Sequence, residues 1–200
     1  DAVVIRHPTP GAPKLLTEFI DAVIINGGDG THEHPTQAIL DMMSLHEKFG
    51  KLKGLKVGII GDISHSRVAL SNIHGLLIMG ADVTLCGPPN LIPPFIKDLG
   101  VNINYNVDEV IEWADALNIL RIQRERMGLG LVPSVREYRA MFGITQERLE
   151  THQKEIVIMH PGPMNRGVEI DGTVADGDQA IILDQVLNGV ASRMAILFLL

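Results

Sequence analysis

Residues 27–41, GGDGTHEHPTQAILD, set glycines, an aspartate, two histidines and a glutamine against the start of an apolar helix. Three chemistries are open to such a knot. His32 and His34 form a His-x-His pair that could chelate a metal from an extended segment. The free amides of a helix's first turn could hold an anion, with His34 and Gln37 facing the same ligand. The segment could also simply cap the helix that Pro35 opens. No cysteine and no third ligand is marked by spacing, which makes the metal reading the weakest. Capping and anion binding are compatible, and together they are the reading we favour.

Four more loops carry groups of the same kind. Arg6-His7-Pro8 closes the run AVVIR, ISHSR follows LKVGIIGD, RIQRER closes ALNIL, and HPGPMNRG follows EIVIM. Arginine offers a planar fork matched to phosphate or carboxylate, so loops that share it suit small anions. Each residue alone has a plainer reading: a surface ion pair for Arg6, a solvated cap for Arg67, a rigid turn for Gly162 and Pro163. Arg121 and Gln123 differ, because they alternate on what reads as one strand and would point to one face. The two prolines of HPGP also free carbonyls from sheet pairing. VGIIGDIS lacks the spacing of a dinucleotide loop.

The elements that must position these loops alternate between short apolar runs and helical spacing, the pattern of βα units with parallel strands. The fold class is α/β. Strands are predicted at 2–6, 22–26, 55–62, 81–87, 101–105, 116–123 and 155–161. Helices are predicted at 35–49, 66–79, 93–99, 107–114, 134–142, 145–152 and 179–199. In open parallel sheets ligands bind beyond the carboxyl ends of the strands, which is where all five polar loops fall. The basic, glycine-punctuated segment HEKFGKLKGLK (46–56) reads as a boundary between lobes. A first lobe would cover 1–50 and a second 51–178, with residues 179–200 forming a helix that packs back on the first.

Composition removes other classes. In 200 residues, 24 acids against 17 bases give a formal charge of −7, which argues against nucleic acid or membrane surfaces as partners. An anion must therefore be caught locally. Cys86 is the one cysteine, which excludes an internal disulfide and fits a reducing, cytoplasmic setting. The last helix is apolar enough to raise the question of a membrane span, but Asp184, Asn188 and Arg193 interrupt it, and a packed helix is the better reading. The chain opens directly in an apolar run with no signal-peptide pattern, and we expect it to begin inside a fold.

Taken in order, VIRHPTPGA, GDGTHEHPTQAILD, GDISHSRVALSN, LRIQRER, SVREYRAMFGIT and HPGPMNRGVEI closely resemble the signatures of the aspartate carbamoyltransferases, over essentially the whole chain. The resemblance implies a carbamoyltransferase fold of two lobes, each with a central parallel sheet flanked by helices, the first lobe incomplete. It implies transfer of the carbamoyl group of carbamoyl phosphate to L-aspartate in pyrimidine biosynthesis, with no metal and no cofactor. Arg6, His34 and Gln37 match carbamoyl-phosphate contacts, with Arg6 and His34 polarising the carbamoyl oxygen. Gly162 and Pro163 match the backbone around the carbamoyl group. Arg67 and Arg121 match the residues that grip the aspartate carboxylates, with Gln123 beside them. A homotrimer with shared sites is implied too, with regulatory subunits or a dihydroorotase left open.

The chain also departs from that pattern. The family's Ser-Thr-Arg-Thr-Arg phosphate loop, and the Ser/Lys loop that reaches a neighbouring subunit's site, are absent from these residues and would precede residue 1. Leu70 stands where a basic residue is frequent, and Gly27 where alanine is common. Two other readings compete. An ornithine-type carbamoyltransferase would carry an HCLP-like loop in place of HPGP. A noncatalytic binding or assembly module would follow if the phosphate loop is truly lost.

Overall fold

Parallel strands need long connections, and the helical segments of this chain supply them. In the computed structural model, which describes residues 2–122 and 134–200, strands β1 (Ala2–His7) and β2 (Val23–Asp29) pair in parallel, Ala2 opposite Val23 and His7 opposite Asp29. A second sheet contains β3 (Lys56–Ile60), β4 (Asp82–Cys86), β5 (Asn102–Ile103), β6 (Ala116–Ile119) and β7 (Val157–Met159). Its order is β5-β4-β3-β6-β7, every pair parallel. The chain therefore reverses its direction of travel across the sheet between β3 and β6, which opens a crevice at their carboxyl ends.

Apart from the short edge strand β5, the second sheet is buried on both faces, which is why its strands read as continuous apolar runs. Val57 and Ile59 of β3 pack in one core with Ile73 and Leu85, while Ile60 packs in the other with Ile111, Leu117 and Ile119. This is the two-residue alternation of a strand. Helices α2 (Pro35–Phe49), α3 (Arg67–Ile78), α4 (Val107–Trp113), α5 (Val135–Phe142) and α6 (Gln146–His152) follow the predicted segments. Their ends carry the expected signals: Ser66, Asn106, Ser134 and Thr145 accept hydrogen bonds from first-turn amides, and α2 stops at Gly50 in the left-handed region.

Several predicted boundaries move. β6 ends at Ile119, so Arg121 lies beyond the strand rather than on it. The segment 93–99 yields only a 3-10 turn at Ile96–Leu99, since Pro93 and Pro94 withhold amide donors from a longer helix. Short helices α1 (Ala12–Leu16) and α7 (Gly172–Ala175), each under two turns, lacked a periodic signal.

The last helix, α8 (Ile182–Leu199), is long and apolar enough to cross a membrane by length and composition. Here it packs along α2, and it does so through its polar face. Asn188 Nδ2 donates to Ser44 Oγ at 3.0 Å and to Glu47 Oε2 at 2.6 Å, and Gln185, Gly189 and Ser192 are buried beside it. Leu183, Leu187, Val190, Met194 and Phe198 lie on its exposed side.

Candidate functional site

The carboxyl ends of β1, β2, β3, β6 and β7 and the start of α3 surround one cavity of about 680 Å³. Asp29, the last residue of β2, organises the loop of the opening motif. Its Oδ2 accepts the Gly11 backbone N–H at 2.7 Å, and its Oδ1 accepts the Asn26 side-chain amide at 3.0 Å and the Glu33 N–H at 3.1 Å. Burial alone would raise its pKa, but these donors and His32 hold the carboxyl at about 2. Gly30 takes φ +50° with Pro10 Cδ 2.6 Å from where a Cβ would stand, so no side chain fits that turn.

This arrangement separates the two histidines. His32 turns to Asp29, 3.1 Å away, and to Glu33, whereas His34 faces the cavity. The His-x-His pair thus does not converge on one point. Among the described residues no group of three or more His, Cys, Asp or Glu could hold a metal ion. His34 occupies the N-cap position of α2 without capping it by its side chain; its backbone N–H goes to Ser71 Oγ at 2.8 Å. The imidazole is therefore left for the cavity.

Its electrostatics show what surrounds it. Burial, then the charges of Arg6, Arg67 and Arg193, press the His34 pKa down to about 4. Near neutral pH it is an uncharged ring. The Thr36 hydroxyl lies 3.5 Å from Nδ1, and a proton donated there leaves Nε2 as the N–H. Such a ring can donate one hydrogen bond to a developing oxyanion without adding a proton to the site.

The predicted site residues come from separate elements. Arg6, near the end of β1, donates from Nη1 to the Gly27 carbonyl at 3.4 Å. Arg67 opens α3 behind the N-cap Ser66, whose side chain accepts from the Ala69 N–H at 3.2 Å. Burial and the neighbouring Arg6 charge lower the Arg67 pKa from its ordinary value, with Asp29 opposing. Arg121 follows β6, and Gln37 lies in the first turn of α2. Gly162 and Pro163 follow β7; the Gly162 N–H donates to His160 Nδ1 at 2.9 Å, and His160 is held by its own N–H on Gln185 Oε1 at 3.0 Å. Arg6, His34, Gln37, Arg67, Arg121, Gly162 and Pro163 all line the one cavity. Gln123 lies outside the described residues.

Sequence reasoning missed two contributors. Arg193 read only as an interruption of an apolar helix, yet α8 carries it into the cavity, its Nη1 anchored on the Gly189 carbonyl at 2.7 Å. A charge spaced to fall on the packed side of a helix was the available signal. His65 is the other, its Nδ1 2.8 Å from Asp62 Oδ1 on the cavity wall. Among the described residues, four arginines against the one carboxylate of Asp62 make the cavity wall a trap for multivalent anions.

Comparison with known proteins finds similarity over nearly the whole chain. The family model described as aspartate/ornithine carbamoyltransferase, carbamoyl-P binding domain, matches residues 1–47, and the model of the Asp/Orn binding domain matches residues 53–200. The whole chain is 57% identical to the aspartate carbamoyltransferase catalytic subunit of Gemmatimonas aurantiaca, over 63% of that protein's length. It is 58% identical to the one of Moorella thermoacetica, over 65% of its length. The chain therefore spans less than two thirds of these relatives. Among solved structures, Trypanosoma cruzi aspartate transcarbamoylase in complex with carbamoyl phosphate is similar with a TM-score of 0.85 at 30% identity, covering 98% of this chain and 65% of that one. The M. jannaschii catalytic subunit is similar with a TM-score of 0.81 at 33% identity, with the same coverage.

Proposed function

This chain belongs to the aspartate/ornithine carbamoyltransferase family, and from that premise we propose that its cleft serves transfer of a carbamoyl group from carbamoyl phosphate to the amine of L-aspartate. The observation that carries the reading is the meeting of Arg6, His34, Arg67 and Arg121, from four separate loops, on one cavity. Two polyanions brought into contact repel each other unless cations stand around them, and arginines supply that charge in bidentate form.

The reaction asks little else of the protein. The aspartate amine, as free base, attacks the carbamoyl carbon; the C–N bond forms, the C–O bond to phosphate breaks, and the amine's surplus proton goes to the departing phosphate. Negative charge gathers on the carbamoyl oxygen in between. Arg6 and the neutral His34 ring donate to that oxygen, Gln37 and the Gly162-Pro163 backbone hold the carbamoyl group, and Arg67 and Arg121 hold the aspartate carboxylates. Donors set in place beforehand stabilise the charge without reorganising, and joint binding removes the entropy of encounter.

In this reading residues 1–50 hold carbamoyl phosphate, residues 51–178 hold aspartate, and helix 179–200 packs back on the former. Gln123 is proposed as a further aspartate contact. The proposed assembly is a homotrimer with shared sites, which sedimentation would register as a mass of three chains.

The test is Arg121→Ala in the complete protein. Loss of a charge-assisted fork predicts an aspartate KM raised about 10- to 100-fold, with carbamoyl phosphate binding changed less than about twofold. Unchanged aspartate kinetics would remove the assignment, and turnover of ornithine in preference to aspartate would move the reading to the ornithine type.

A further inference from the structure

One turn beyond Gln37 on α2, Asp41 is completely buried, with 0% of its surface exposed. Its carboxylate meets four side-chain amides. Oδ1 receives Gln37 Nε2 at 3.0 Å and Gln185 Nε2 at 2.7 Å; Oδ2 receives Asn72 Nδ2 at 2.8 Å and Asn118 Nδ2 at 3.4 Å. The three partners outside α2 come from α8, α3 and β6. Burial raises the Asp41 pKa, and the four amides act against it.

The orientation of two of these amides is settled from outside the cluster. Gln185 Oε1 accepts the His160 backbone N–H at 3.0 Å, so its NH2 end faces Asp41. Asn72 Nδ2 also donates to the Val68 carbonyl at 3.1 Å, so its NH2 end faces Asp41 as well. Both oxygens are thus fed by donors. A carboxylate in that position offers its remaining neighbour only lone pairs. Gln37, which lines the cleft, must therefore turn its NH2 toward Asp41 and its carbonyl oxygen away.

We propose that Asp41 is a positioning residue that fixes the Gln37 side-chain carbonyl as an acceptor in the cleft, so that the site selects an acyl phosphate bearing N–H donors over one bearing a methyl group. An unrestrained glutamine amide can present either end, and with its NH2 in the cleft it would meet the carbamoyl NH2 donor to donor, so the N–H-bearing ligand would lose its advantage. A fixed carbonyl left unpaired against a methyl costs the desolvation of that oxygen. The proposal rests on the functional reading above, because it takes the carbamoyl NH2 as the donor.

The experiment uses the complete protein and three probes: carbamoyl phosphate, acetyl phosphate and inorganic phosphate. In the parent protein carbamoyl phosphate should bind more tightly than acetyl phosphate. Asp41→Asn gives Gln37 a partner in either orientation, and should reduce that preference about tenfold, while the dissociation constant of inorganic phosphate moves less than about twofold. The exchange Gln37→Glu with Asp41→Asn restores an acceptor in the cleft and a donor behind it, and should recover the preference. A preference unchanged by Asp41→Asn overturns the proposal. So does parallel weakening of all three probes, which is what a merely structural role produces. If Asp41→Asn does not fold, the exchange variant decides: a lost preference in it overturns the proposal. A parent protein that binds inorganic phosphate but not carbamoyl phosphate would overturn the functional reading and this inference together.

Discussion

The Arg67 guanidinium lies against the backbone of Gly28: a Cβ built on Gly28 would stand 3.1 Å from Arg67 Nε and 3.2 Å from its Cζ. Gly28 takes φ +115°, where side chains are strained in any case. β2 thus provides, by the absence of a side chain, the surface on which the arginine that opens α3 rests.

Gly28→Ala should therefore displace Arg67 as well as strain the turn. We expect a loss of about 1–3 kcal/mol in stability and, on the proposed function, an aspartate KM raised more than the carbamoyl phosphate KM. Thermal melting and initial rates on the complete protein check both parts. Equal effects on the two substrates would mean that the strain alone matters.

His34 makes a pH prediction. Its pKa is about 4 in the folded protein, below the ordinary value of 6.5. The unfolded chain then binds more protons than the folded one between those values, so stability falls as pH drops through that window and the penalty stops growing below about 4. His34→Gln removes this contribution, and its melting temperature should fall less from pH 6.5 to pH 4 than the parent's. Proton NMR of the His34 ring should show it uncharged at pH 5.5 without ligand. Parallel melting curves for parent and variant would contradict the shift.

Arg193 adds a third test. Because its charge helps lower the His34 pKa, Arg193→Gln should raise that pKa, and should weaken phosphate binding by about 5- to 100-fold if one charge-assisted interaction is lost. NMR titration of His34 and calorimetry with inorganic phosphate read the two effects independently. An unmoved His34 pKa would place Arg193 outside the electrostatics of the cleft.

How much of this was legible differs from element to element. The order of βα units could be read because strands buried on both faces leave continuous apolar runs, and helix starts such as Pro35 and Ser66 are local signals. Arg6, His34, Gln37, Arg67 and Arg121 could be singled out because each stands just past an apolar run or at the N-cap or first turn of a helix. The end of β6 could not, since ILRI is as apolar past Ile119 as before it and only pairing stops the strand.

By itself, then, the sequence determined which residue types stand at strand ends and helix starts, because those choices depend on neighbours a few positions away. Only the tertiary structure decided that His32 turns to Asp29 while His34 faces the cleft, that Arg193 reaches the same cavity from α8, and that Asp41 gathers amides from three other elements. Those relations join residues up to 144 positions apart. They follow from the packing of α8 and α3 on α2 and from the strand ends of both sheets facing one cavity, which no local pattern encodes.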